Sequence, residues 1–230
     1  MASQITIVLV HGAWADGSSW GKVIPFLQDA GHTVIAVQLP LTSLAEDVAT
    51  TRRALGTLTG PVVLAGHSYG GAVITKAGSG AENVTGVVYI ASFPTEEGES
   101  VGDIQARFPA RSAGDGLQMD ADGFTTMDPA KYHQNLMADA TPAEARVMAA
   151  VQHPAHGRCF GDAVSGVPAW KQKPSWYQVS TDDAAVHPDA QRFLARRCGA
   201  TMIELDASHI PMVAHPRETA DLILAAARAA

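Results

Sequence analysis

Residues 64–74 read LAGHSYGGAVI, and they place Ser68 between Gly66 and Gly70 at the end of an apolar run. The preceding VVLAG (62–66) is nearly continuous in apolar residues, as a strand covered on both faces would be, and 71–79 have a helical pattern. A tight strand-to-helix turn tolerates no bulk beside its apex, and Gly66, Gly70 and Gly71 supply that room. A serine at such an apex projects its hydroxyl out of the sheet, beside helix N–H groups that favour negative charge. The plainer reading is an ordinary turn. The two flanking elements favour a displayed nucleophile, and a serine used in that way needs a base and an acid elsewhere in the chain.

Working outward, short apolar runs alternate with helical patterns. ITIVLV (5–10), TVIAVQL (33–39), VTGVVYIASF (84–93), SWYQVST (175–181) and TMIELD (201–206) read as further strands. Helices are expected at 19–31 with Pro25 as a kink, from the Ser43…Glu46 cap through Leu58, at 187–199, and at 216–229. This βαβ rhythm predicts a mostly parallel sheet of about six strands flanked by helices. Residues 94–173 break the rhythm. They show no clear strand and carry helix caps at Asp128-Pro129 and Thr141-Pro142-Ala143-Glu144. That is far too long for a loop, against about 4–6 residues ordinarily, so the expectation is an inserted, mostly helical lid within one domain. The core is then 1–93 with 174–230.

Composition narrows the function classes. The 230 residues carry a formal net charge of −7, with no Lys/Arg run to neutralise a phosphate backbone, which argues against a nucleic-acid partner. The N-terminal apolar run is too short for a membrane span and lacks a basic flank, so neither a membrane partner nor a leader is expected. Two cysteines, Cys159 and Cys198, are too few for a disulfide framework, and a reducing cytoplasm is the simplest setting. The terminal helix and an open sheet edge offer surfaces for a homodimer.

The partners of Ser68 come from the same edge of the sheet. His209 lies in DASHIPMV, directly after the sixth strand, where a loop can reach the serine's turn; His215, just before Pro216, is the rival. His67 adjoins the serine and reads as structural. VSTDDAAV after the fifth strand offers Asp182 and Asp183 as the acid, with Glu96 and Glu97 less well placed. The order Ser, Asp, His suits this architecture. Trp14, Trp20, Phe93, Phe108, Phe124, Met127, Met137 and Trp170 are candidates to line an apolar pocket, although such residues in a lid more often pack on one another. His153, His156 and Cys159 recur at three-residue intervals, but no fourth ligand is evident and no metal site is assigned.

LVHGAW, GHSYGG, STDDAAV and ASHIPMV, in this order across nearly the whole chain, resemble the α/β-hydrolases. Within them the chain resembles the salicylate-binding esterase and hydroxynitrile lyase group and its small bacterial esterase relatives. The resemblance implies Ser68 as nucleophile, His209 as base, Asp183 as acid, and an oxyanion hole from the backbone N–H groups of Ala13 and Tyr69. It implies no cofactor and a small-molecule carboxylic ester of modest size as substrate, cleaved through an acyl-enzyme. The leading hairpin of many relatives has no counterpart here. The lyases of this group use a threonine and a lysine where this chain has Gly12-Ala13-Trp14 and Ala184-Ala185, which lowers the lyase alternative. A ligand-binding receptor on the same fold is the other alternative, separated by binding without turnover.

Overall fold

The computed structural model describes residues 5–229. Six parallel strands form one sheet: β1 (Thr6–Val10), β2 (Thr33–Val37), β3 (Val62–His67), β4 (Val84–Ile90), β8 (Ser175–Ser180) and β9 (Thr201–Leu205), in the order β2-β1-β3-β4-β8-β9. Between β4 and β8 lie β5 (Leu117–Met119), β6 (Phe124–Met127) and β7 (Ala155–His156). The helices are α1 (Ile24–Asp29), α2 (Leu44–Gly56), α3 (Gly70–Ala77), α4 (Val101–Gln105), α5 (Pro129–Leu136), α6 (Pro142–Val151), α7 (Arg158–Gly161), α8 (Pro188–Arg197), α9 (Pro211–Ala214) and α10 (Pro216–Ala229).

Side-chain alternation along the strands makes two cores. Val8 and Val10 of β1 with Val62 and Leu64 of β3 pack toward α2, α3 and α8, whereas Ile7, Leu9, Val63 and Ala65 face α1 and α10. Every residue of β3 is buried, while the edge strand β2 is largely half-buried and the edge strand β9 largely exposed. The near-continuous apolar run of β3 follows from this cover on both faces, while β2 keeps an apolar run on a half-buried edge.

Three expectations change. The helix expected from residue 19 splits, because Asp16 caps a 3-10 turn at Gly17–Trp20 and Pro25 opens α1 near its N-terminus instead of kinking it. The strand expected to run to Phe93 stops at Ile90, where Ala91 turns the chain with a positive φ of 44°. The 94–173 segment is not strandless: β5, β6 and β7 form an antiparallel sheet beside its helices. Strands this short leave no periodicity to read. The Asp128 and Thr141 caps do start α5 and α6, the latter with a reciprocal bond from Glu144.

All five pairings in the main sheet are parallel, so the strands' carboxyl ends share one edge. The turns after β1, β2, β3 and β4 each hold a non-glycine residue at positive φ: Trp14, Leu41, Ser68 and Ala91. Such conformations cost about 1–3 kcal/mol each and cluster where function demands them. Among the described residues no helix is long and apolar enough to cross a membrane.

Candidate active site

Ser68 sits directly after β3 at φ +50°, a left-handed conformation forced on a non-glycine residue. The glycines around it are there for contact. A Cβ on Gly66 would lie 2.6 Å from the Gly70 carbonyl oxygen, one on Gly70 would lie 2.6 Å from that of His11, and one on Gly71 would strike Ser92 Oγ. A Cβ on Gly12 would come within 2.8 Å of Ser68 Cβ, so the loop after β1 passes directly against the serine.

The elements that place the other groups leave the same edge. His209 follows β9, and its Nε2 lies 2.9 Å from Ser68 Oγ. Its Nδ1 lies 2.8 Å from Asp183 Oδ2 in the turn after β8. A carboxylate only accepts, so Nδ1 carries the proton and Nε2 presents its lone pair to the serine hydroxyl. Asp183 is fully buried, and among the described residues no Lys or Arg pairs with it. Three donors hold it: the backbone N–H groups of Ala185 (2.7 Å) and Val186 (2.8 Å) on Oδ1, and Gln191 Nε2 (2.8 Å) on Oδ2. Asp182 is exposed and makes no side-chain bond to the histidine. His215 instead pairs with Asp139, which also accepts from the backbone N–H of Ser208, so it braces the loop beside His209.

The two histidines nearest this relay are structural. His67 donates from Nε2 to the His209 carbonyl oxygen at 2.7 Å, and burial holds its pKa well below the ordinary value. His11 bridges the loop, with Nδ1 on the Gly12 carbonyl and Nε2 accepting from the Leu39 N–H; burial lowers its pKa to about 4. Both are therefore neutral rings that hold backbone.

Among the described residues no protein acceptor takes the backbone N–H of Ala13 or of Tyr69. The Ser68 carbonyl accepts from Ser92 Oγ (2.7 Å) and from the Gly71 N–H (3.0 Å). In a trans peptide the N–H points opposite the carbonyl, so this clamp turns the Tyr69 N–H away from Ser92. The N-terminus of α3 adds positive partial charge at the same place.

Ser68 and His209 open into a cavity of about 520 Å³, with Trp14, Phe93, Phe108, Phe160, Arg111 and His187 in its wall. Of the aromatic and methionine candidates, Trp14, Phe93 and Phe108 line it. Four others do not. Met127 and Met137 are buried in the core on the α1/α10 face, Phe124 packs edge-on against His156, and Trp170 donates to the Thr95 carbonyl. Trp20 is likewise fully buried away from the cavity. Three lining or supporting residues carry no signal in the sequence: Phe160, Arg111, whose Nε donates to the Asp183 carbonyl at 2.9 Å, and Gln191. His153, His156 and Cys159 do not converge, since His153 is exposed while Cys159 is buried against Asp47.

The profile of the alpha/beta hydrolase family matches residues 7–222, and the chain belongs to that family. Methylesterase 8 of Arabidopsis thaliana is 25% identical over 96% of this chain and 88% of its own length. A carbendazim hydrolyzing esterase from Nocardioides sp. (strain SG-4G) is 35% identical over 107 residues, 41% of this chain and 44% of that one. A pyrethroid hydrolase from Sphingobium faniae JZ-2 shares the fold with a TM-score of 0.83 at 22% identity, over 98% of both chains.

Proposed function

We propose that the chain is a serine carboxylic ester hydrolase acting through an acyl-enzyme, with Ser68 as nucleophile, His209 as general base and Asp183 as the acid that orients it. The observation that carries this reading is the continuous relay from Ser68 Oγ through His209 to Asp183, at 2.9 and 2.8 Å, opening into the cavity. A methylesterase, a carbendazim-hydrolysing esterase and a pyrethroid hydrolase among the similar proteins support it.

In this reading, Ser68 Oγ attacks the ester carbonyl carbon as its proton passes to His209 Nε2. Charge develops on the carbonyl oxygen and is met by the N–H groups of Ala13 and Tyr69. His209, now an imidazolium stabilised by Asp183, gives the proton to the departing alkoxide. Water enters and attacks the acyl carbon as its proton passes to Nε2; the bond to Ser68 Oγ then breaks, Oγ takes that proton back, and the acid leaves. Removing one oxyanion donor typically costs about 10²–10³ in turnover, so these two amides carry a substantial share of the rate. The segment 94–173 supplies Phe108, Arg111 and Phe160 to the cavity wall and serves as its lid. Both cysteines are buried and unpaired, in accord with a reducing, cytoplasmic setting. The largely apolar wall suits a neutral acyl or alcohol group of modest size.

The test is hydrolysis of 4-nitrophenyl esters from acetate to laurate by wild type and Ser68→Ala in parallel. Turnover lost in the variant, with an optimum at short to medium acyl length, is the expected result. Wild type no faster than the variant on every ester would refute the reading.

A further inference from the structure

Behind the relay lies a second buried polar cluster that transfers no proton in the reaction. Asp47 on α2 is fully buried, and no Lys, Arg or His pairs with it among the described ion pairs. Three donors reach it from three separate segments. The Tyr69 hydroxyl donates to Oδ2 at 2.6 Å, the Leu41 N–H to Oδ1 at 2.8 Å, and Cys159 Sγ of α7 to Oδ2 at 3.7 Å. Burial holds the Asp47 carboxyl above the ordinary carboxylate value, and the Tyr69 hydrogen bond offsets only part of that rise. The Cys159 thiol, pushed up to about 12 by burial, stays protonated as a donor. A carboxyl group kept in the core with no ion pair among the described residues is costly, and its partners here are not random: one is the residue that follows the nucleophile.

The position of Tyr69 gives the cluster its meaning. Its backbone N–H has no protein acceptor among the described residues, and it adjoins the strained Ser68. A peptide next to a left-handed serine can relax by rotating unless both sides are held. Ser92 Oγ holds the carbonyl side. The phenol on Asp47 holds the other. Phe160, which lines the cavity, lies against the Tyr69 ring with centroids 6.0 Å apart and stacks on Trp14 at 5.5 Å.

We infer that Asp47 is a positioning residue for the reaction at Ser68: by gripping the Tyr69 phenol it fixes the Ser68–Tyr69 peptide so that the Tyr69 N–H meets the developing oxyanion. This rests on the esterase reading above. The grip matters only in the transition state, where the oxyanion exists, so its loss appears in kcat and not in KM.

The experiment uses Tyr69→Phe, Asp47→Asn and the double variant, all nearly isosteric. Each is assayed for kcat and KM on the 4-nitrophenyl ester that wild type turns over fastest. Each is also assayed for the second-order rate of Ser68 labelling by a fluorophosphonate, per folded molecule as judged by urea denaturation. The expected result is a loss of about tenfold or more in kcat and in labelling rate for each single variant, with KM within twofold. The double variant falls no further than the worse single. Unchanged kcat with only a lowered urea midpoint would make the cluster merely structural and overturn the inference. A loss carried by KM, or a double variant showing the product of the two single losses, would also overturn it. Wild type that neither hydrolyses nor labels refutes the esterase reading itself and this inference with it. Active wild type beside equally active variants refutes the inference alone.

Discussion

Asp183 Oδ2 lies 2.8 Å from His209 Nδ1, and the same oxygen takes Gln191 Nε2 at 2.8 Å, so the carboxylate that meets the imidazole is itself held from α8. The neighbouring Asp182 points to solvent. Asp183→Asn puts an amide where the carboxylate accepts, and forces the imidazole toward the wrong tautomer. In a serine protease triad the same change costs about 10⁴ in kcat, and a loss of roughly that size is expected here. Asp182→Asn leaves kcat within about twofold, as an exposed substitution does. Steady-state kinetics of the two variants side by side separate the acids.

Gln191 is fully buried, and it also accepts from the Ser180 N–H at 2.9 Å and donates to the Val186 carbonyl. Gln191→Leu keeps the volume and orphans these groups, at a cost of about 1–3 kcal/mol for a buried unsatisfied partner. Because Ala185 and Val186 still hold Asp183 by their N–H groups, kcat falls by less than tenfold. Urea denaturation and ester kinetics on the same sample read the two effects apart.

How much of this was legible follows from where each residue sits. Ser68 and His209 could be picked out because each falls just past a strand, and the apolar run of that strand marks where it ends. Asp182 and Asp183 are chemically identical neighbours, and residue type alone leaves both open; the resemblance points to Asp183, and the turn after β8 buries that one while leaving Asp182 exposed. Gln191 and Arg111 carry no pattern, since a single polar residue on a helix or loop looks like surface until its partners are known. Phe124, Met127, Met137 and Trp170 misled for the converse reason: a chain of this size needs such side chains to pack its insert against its core, and composition does not say which pack and which line a cavity. The strands β5 to β7 are too short to show alternation.

The motif glycines make a stability prediction. A Cβ on Gly66 would lie 2.6 Å from the Gly70 carbonyl oxygen and 3.0 Å from the Gly71 amide nitrogen, all backbone that cannot step aside. Gly66→Ala therefore lowers stability by about 1–3 kcal/mol or more, as overpacking does, and displaces Ser68. Gly56, on α2, has open space within 4 Å of where an alanine methyl would sit, and no positive φ. Gly56→Ala raises stability by up to about 0.5–1 kcal/mol, the helix penalty of glycine. Urea midpoints of the two variants move in opposite directions.

Acid should destabilise the fold through its buried neutral histidines. His11 has a folded pKa of about 4 against an ordinary 6.5, and His67 is shifted the same way. Between those two values the unfolded chain binds a proton that the folded chain refuses, so stability is greatest above 6.5 and falls as pH drops. His11 contributes about 1.4 kcal/mol per pH unit across that window, and His67 acts in the same direction. Stability of His11→Gln, measured by urea denaturation from about pH 7 to about pH 4.5, declines less steeply than wild type. Parallel slopes would contradict the assignment of His11 as a buried neutral ring.

The central claim is a covalent intermediate on one serine. The most direct measurement is intact-mass and peptide-mapping spectrometry of the protein after reaction with a fluorophosphonate. The expected result is one adduct per chain, on the peptide containing Ser68, absent in Ser68→Ala and strongly slowed in Asp183→Asn. An adduct on another residue, or ester turnover in wild type with Ser68 left unlabelled, would contradict it.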